Sequence, residues 1–114
     1  MSKLADQYYK VKNDFWSIPR LIELSKDLEI FEIPMKCLNI FNLYPKATNT
    51  KEFVDHVRDV INADMSYPII LDDEGYVMDG RHRIMKALLE GYETIKAVRF
   101  DKTPSCCFTD NTES

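Results

Sequence analysis

The chain has 114 residues, 15 Lys+Arg against 19 Asp+Glu, a net charge of −4, and 45% apolar with 30% charged residues. That length closes one hydrophobic core, and the composition excludes a disordered, collagen-like or low-complexity chain. No run approaches the roughly 18 apolar residues of a transmembrane helix, and Met1 to Asp6 lacks the apolar core of a secretory signal. A cytoplasmic protein without a membrane partner is therefore expected.

Cys37, Cys106 and Cys107 are odd in number, and two are adjacent. They are expected to be reduced thiols. No Cys/His ligand spacing occurs, and both His56 and His82 lie far from any cysteine in sequence, so no metal site is expected. Residues 29–100 hold nine basic and twelve acidic groups, and no segment forms a basic stripe. Nucleic acid is disfavoured as a partner, because phosphate neutralisation supplies most of that affinity.

In chain order, Leu4, Tyr8, Val11 and Phe15 recur at helical spacing with Trp16 beside them, which predicts an N-terminal helix. Ser17 is placed to cap a second helix that carries Pro19 in its first turn and Ile18, Leu21, Ile22 and Leu28 on one face. Glu29 to Pro34 reads as a short strand, and Lys36 to Lys46 as irregular. Asn49 with Glu52 has the spacing of a capping box and opens a helix over about 50–63, with Phe53, Val57, Val60 and Ile61 as its apolar stripe. Tyr67 to Asp72 and Tyr76 to Met78 read as a hairpin around Asp73-Glu74-Gly75. A helix from Asp79-Gly80 through Leu89 ends at Gly91, and Thr94 to Phe100 is a last strand. Three segments follow: an N-terminal helical extension over 1–28, a domain over 29–102 and a flexible tail over 103–114. The fold class is α+β.

Chemistry is concentrated in Val77-Met78-Asp79-Gly80-Arg81-His82-Arg83-Ile84, where a strand turns at glycine straight into a helix. The first N–H groups of a helix lack internal partners, and the macrodipole adds about half a positive charge there. Arg81, His82 and Arg83 in the first turn are unfavourable unless an anion offsets them, and phosphate is the natural candidate. Arg81 and Arg83 stand about 200° apart around a helix and need not bind one group. The purely structural alternative pairs Arg83 with Asp79 or Glu32, makes Asp79 an N-cap and makes His82 a buried imidazole.

The run from Pro68 to Leu88, with its strand, turn, strand ending in Asp79-Gly80 and helix opening Arg81-His82-Arg83, resembles the core hairpin and signature helix of the ParB/sulfiredoxin superfamily. Ile33 to Leu38 is similar to that family's first strand and following loop. The resemblance covers about residues 30–100. Sulfiredoxins read Gly-Cys-His-Arg, and Arg81 stands where their catalytic cysteine would be, so sulfinic-acid reduction is not implied. ParB partition proteins read Gly-Glu-Arg-Arg, of which Gly80 and Arg83 match, but no helix-turn-helix follows. Free-serine kinases read Asp-Gly-His-His-Arg, of which Asp79, Gly80, His82 and Arg83 match. The resemblance implies a small mixed-sheet domain with flanking helices and a nucleotide (ATP, ADP or CTP), with Mg²⁺ as its companion ion.

Phosphate binding then falls to Gly80, Arg81, His82 and Arg83, and phosphotransfer or hydrolysis would draw on Asp79, His82 and Glu32. The alternative is a non-enzymatic regulatory or interaction protein, similar to small proteins of phages and mobile elements. Its partner, or a second copy, would bind through Tyr8, Tyr9, Phe15 and Trp16. A DNA-partition or nuclease accessory ranks last.

Overall fold

Alternating apolar residues in Thr94–Arg99 and the short run Ile69–Leu71 build the centre of the molecule. A computed structural model describes residues 8–40, 43 and 46–109. In chain order the elements are β1 (Tyr8–Val11), β2 (Asp14–Ser17), α1 (Ile18–Ser25), β3 (Phe31–Pro34), a 3₁₀ turn (Met35–Cys37) and α2 (Thr50–Ile61). There follow β4 (Ile69–Leu71), β5 (Val77–Asp79), α3 (Arg81–Glu90), β6 (Thr94–Arg99) and β7 (Phe108–Thr109). The chain is α+β, as its pattern predicts.

A four-stranded sheet runs β3-β6-β4-β5. β4 and β6 are parallel, with Ile69 opposite Ala97 and Ile70 opposite Val98. β5 returns antiparallel beside β4, and β3 lies antiparallel on β6. β4 is buried along its whole length and β6 at Ile95, Ala97 and Val98, so both faces of the sheet centre are covered. Ile69, Leu71, Ile95 and Ala97 point to one side, where Met35, Leu38 and the α3 residues Ile84 and Ala87 complete a cluster. Ile70, Val98 and Phe100 point to the other, against Met78 and Leu21 of α1. The core is thus two thin layers divided by the sheet.

The predicted N-terminal helix is replaced by a hairpin. Residues 1–7, including Leu4, lie outside the described residues. β1 and β2 pair around a two-residue turn, Val11 opposite Asp14, with Lys12 at φ 55°. Strands form because aromatic pairs meet across them: Tyr9 packs on Trp16 against the core, while Tyr8 and Phe15 meet on the outer face. The helical spacing from Tyr8 to Phe15 spans the turn and is accidental.

Residues 103–109 are not a free tail. β7 pairs with β2, placing Phe15 opposite Phe108, and those two rings stack at 4.6 Å. Trp16 Nε1–H donates to Pro104 O at 2.7 Å, Cys107 N–H donates to Phe15 O at 2.7 Å, and an Arg20 guanidinium N–H donates to Ser105 O at 2.8 Å. The three cysteines are free thiols.

Local signals held elsewhere. Ser17 Oγ accepts from Arg20 N–H and caps α1, although Ile22, expected on its buried face, is exposed. Asn49 Oδ1 accepts from Glu52 N–H at 2.9 Å, while the Glu52 carboxylate reaches back to Thr48 N–H at 2.7 Å. Helix α2 differs in one respect: none of its residues is buried, and Phe53, Val57 and Ile61 face outward. It leans on α3, aided by Lys86 Nζ donating to Ala63 O at 3.0 Å.

Candidate functional site at the start of helix α3

The hairpin that delivers the site is set by one aspartate. Asp72 Oδ1 accepts from Glu74 N–H and Tyr76 N–H at 2.9 and 2.8 Å, an Asx turn that sends β5 back beside β4. β5 ends at Asp79, and Gly80 switches the chain into α3 at φ 109°. Only glycine fits there. A Cβ at Gly80 would lie 2.5 Å from Ile69 Cγ2 and 3.0 Å from Arg83 Nη2. Backbone and sheet therefore meet at van der Waals distance, and the helix N-terminus is fixed relative to β4.

Gly80 is the N-cap and brings no side chain to the first N–H groups of α3. Asp79 is not the cap. Its Oδ2 instead accepts from Arg83 Nη2 at 3.1 Å, in a pair whose side chains are 18% and 23% exposed. This is one of the two pairings open to Arg83 from sequence. It draws the guanidinium back across Gly80, and leaves Arg83 Nε buried without a hydrogen-bond partner. Arg81 and His82 stand half-buried in the same turn.

Glu32 is not brought to this place. It lies on β3, the opposite edge of the sheet from β5, and its carboxylate accepts from Thr94 Oγ1 at 2.8 Å. Of the three residues suggested for catalysis, Asp79 and His82 are adjacent to the helix start and Glu32 is not.

Two residues not picked out by motif join them. His56 of α2 shares a hydrogen bond with His82, Nδ1 to Nε2 at 3.2 Å, with ring centroids 5.5 Å apart. Asp59 follows one turn later on α2, and one ligand atom from each of His56, Asp59 and His82 lies within 4.8 Å of the other two. The expectation that the chain lacks a metal-ligand set rested on spacing along the sequence, and His56 and His82 are 26 residues apart. The available signal was the i, i+3 placement of His56 and Asp59 on one predicted helix.

A groove of about 410 Å³ opens at the other end of β4, lined by Phe31, Leu71, Gly75, Tyr76 and Arg99 among others. It is separate from the α3 start, because Leu71 ends the strand that Ile69 begins. Among the described residues, no helix is long and apolar enough to cross a membrane. Searches of protein-family models, of curated proteins and of solved structures each return no match.

Proposed function

We propose that this chain is a small ParB/sulfiredoxin-like domain that binds a nucleotide, or another phosphate-bearing ligand, at the start of α3. The observation that carries the reading is the position of Arg83. Its guanidinium lies against Gly80, held by Asp79, with Nε buried and unpartnered. A cation fixed beside the N–H groups of a helix start is the arrangement that receives a phosphate oxygen. The glycine leaves room for close approach, and the positive end of the helix dipole adds to the attraction.

Within this reading, Gly80 supplies backbone access, Arg83 a charge-assisted hydrogen bond, and Arg81 and His82 further donors around the same turn. Asp79 orients Arg83. If the ligand is turned over by hydrolysis or phosphotransfer, His82 and Asp79 are the acid–base groups within reach, and Glu32 has no part. Mg²⁺ would arrive on the phosphates of the nucleotide, since Asp79 is engaged by Arg83.

The test is a thermal-shift screen with ATP, ADP, CTP, GTP and inorganic phosphate, each with and without Mg²⁺. A ligand at 100 times its Kd adds about 2.7 kcal/mol to stability. The reading expects a shift with at least one of them, lost in Arg83→Ala. No shift with any of them contradicts it.

A second reading, an interaction protein without turnover, is favoured by the outer face of the N-terminal hairpin. Tyr8, Phe15 and Phe108 form an aromatic cluster there, with Lys10 over the Phe15 ring at 5.2 Å. Tyr9 and Trp16 are turned to the core and are not part of that surface.

A further inference from the structure

We infer that His56, Asp59 and His82 form a binding site for one divalent transition-metal ion of the Zn²⁺ type, clamping α2 to α3. This goes beyond the phosphate reading and does not depend on it: the two share only His82, and His56 and Asp59 of α2 have no part in holding the phosphate.

The geometry of the two imidazoles carries the inference. A tetrahedral ion with metal–nitrogen bonds of 2.0–2.1 Å holds its two nitrogens about 3.3–3.4 Å apart. His56 Nδ1 and His82 Nε2 are 3.2 Å apart. Two half-buried rings from different helices thus already stand at nearly the separation that one ion imposes. The third donor is an exposed carboxylate on the same helix as His56, which offers an oxygen within 4.8 Å of a ring nitrogen of each histidine.

Two imidazoles and one carboxylate select a borderline transition ion over Mg²⁺ or Ca²⁺, which require oxygen ligands. Three protein ligands leave the fourth position to water or another small ligand, the pattern of open zinc sites. The fold gives the ion a structural consequence as well. Helix α2 has no buried residue, so its attachment to the domain is weak in apolar terms. A shared ion would convert a contact between two rings into a bond between two elements.

The probe is Zn²⁺ alone, titrated calorimetrically into the full chain with no nucleotide present, with Mg²⁺ as the comparison ion. The expected result is one Zn²⁺ per chain, no competition from Mg²⁺, and affinity reduced roughly tenfold or more in each of His56→Ala, Asp59→Asn and His82→Ala. Amide hydrogen exchange should slow across α2 on Zn²⁺ addition. Asp59→Asn alters an exposed group, and a metal-free circular dichroism spectrum matching the parent shows that it folds. The three free cysteines are the competing ligands, so the Cys37→Ser/Cys106→Ser/Cys107→Ser variant is run alongside. Zn²⁺ binding that survives His56→Ala and His82→Ala, or that disappears in the cysteine variant, overturns the site. So does an absence of binding by the parent chain. Loss of nucleotide binding alone leaves these readouts unchanged, so the two readings fail separately.

Discussion

Arg83 Nη2 sits 3.1 Å from Asp79 Oδ2 across the turn made by Gly80. The last residue of a strand thereby fixes the side chain of the third residue of the next helix. Both groups are about four-fifths covered, so removing one charge leaves the other poorly solvated. Asp79→Asn should therefore destabilise the chain by about 1–3 kcal/mol, measured by urea unfolding. The same variant should weaken ligand binding less than Arg83→Ala does, because Arg83 keeps its donors and loses only the charge that orients it. A neutral effect on stability would show that the pair is solvent-screened.

The close approach of Gly80 to Ile69 separates it from the other helix-end glycine. Gly91 also has positive φ, 77°, but nothing lies within 4 Å of a Cβ added there. Gly91→Ala should cost only the backbone term, about 1–2 kcal/mol. Gly80→Ala adds a clash with a fully buried isoleucine, for a total of about 2–4 kcal/mol. Equilibrium unfolding of the two variants side by side checks the order, and equal losses would remove the steric argument.

Residues 103–109 close the aromatic layer, through Trp16 to Pro104, Cys107 to Phe15 and a reciprocal pair in which Asp73 and Thr103 exchange hydrogen bonds at 3.0 and 3.1 Å. At about 0.5–1.5 kcal/mol for each of these four hydrogen bonds, deleting residues 103–114 should cost roughly 2–6 kcal/mol. It should also shift Trp16 fluorescence to the red under native conditions. Unchanged emission would mean that the indole does not depend on this segment.

Tyr9 gives the stability a pH dependence at the alkaline end. Burial raises its phenol pKa above the ordinary value of 10.0, and the nearby Asp72 and Tyr76 raise it further. A group whose folded pKa exceeds its unfolded value contributes fully below the unfolded pKa and loses that contribution as pH rises through the folded one. Stability should accordingly fall above about pH 10, and the fall should be smaller in Tyr9→Phe. Parallel alkaline melting curves for the two proteins would contradict this.

Much of the fold was legible because its signals are local. Ser17, Asn49 and Asp72 act on backbone groups within four residues, and Gly80 and Gly91 sit where positive φ is required. The N-terminal segment was misread because Tyr8, Val11 and Phe15 satisfy a helical period across a turn that Lys12 makes without glycine. Cross-strand aromatic pairing, which decides the matter, is invisible until the partner strand is known. The pairing of residues 108–109 has no local signal for the same reason: Phe108 finds its place only against Phe15. At the site, Asp79, Gly80 and Arg83 were legible as neighbours in sequence. His56 was not, because only the packing of α2 on α3 brings it to His82.

The claim that phosphate binds at the start of α3 is tested most directly by amide chemical shifts in ¹⁵N-labelled protein during titration with ATP, CTP and inorganic phosphate. Saturable shifts centred on the N–H groups of Arg81, His82 and Arg83 are expected, with Arg83→Ala weakening the affinity by about 1.5–3 kcal/mol. Shifts confined to Phe31, Tyr76 and Arg99 would place the ligand in the groove at the other end of β4, and an unperturbed spectrum would leave the helix start a structural turn; either result contradicts the claim.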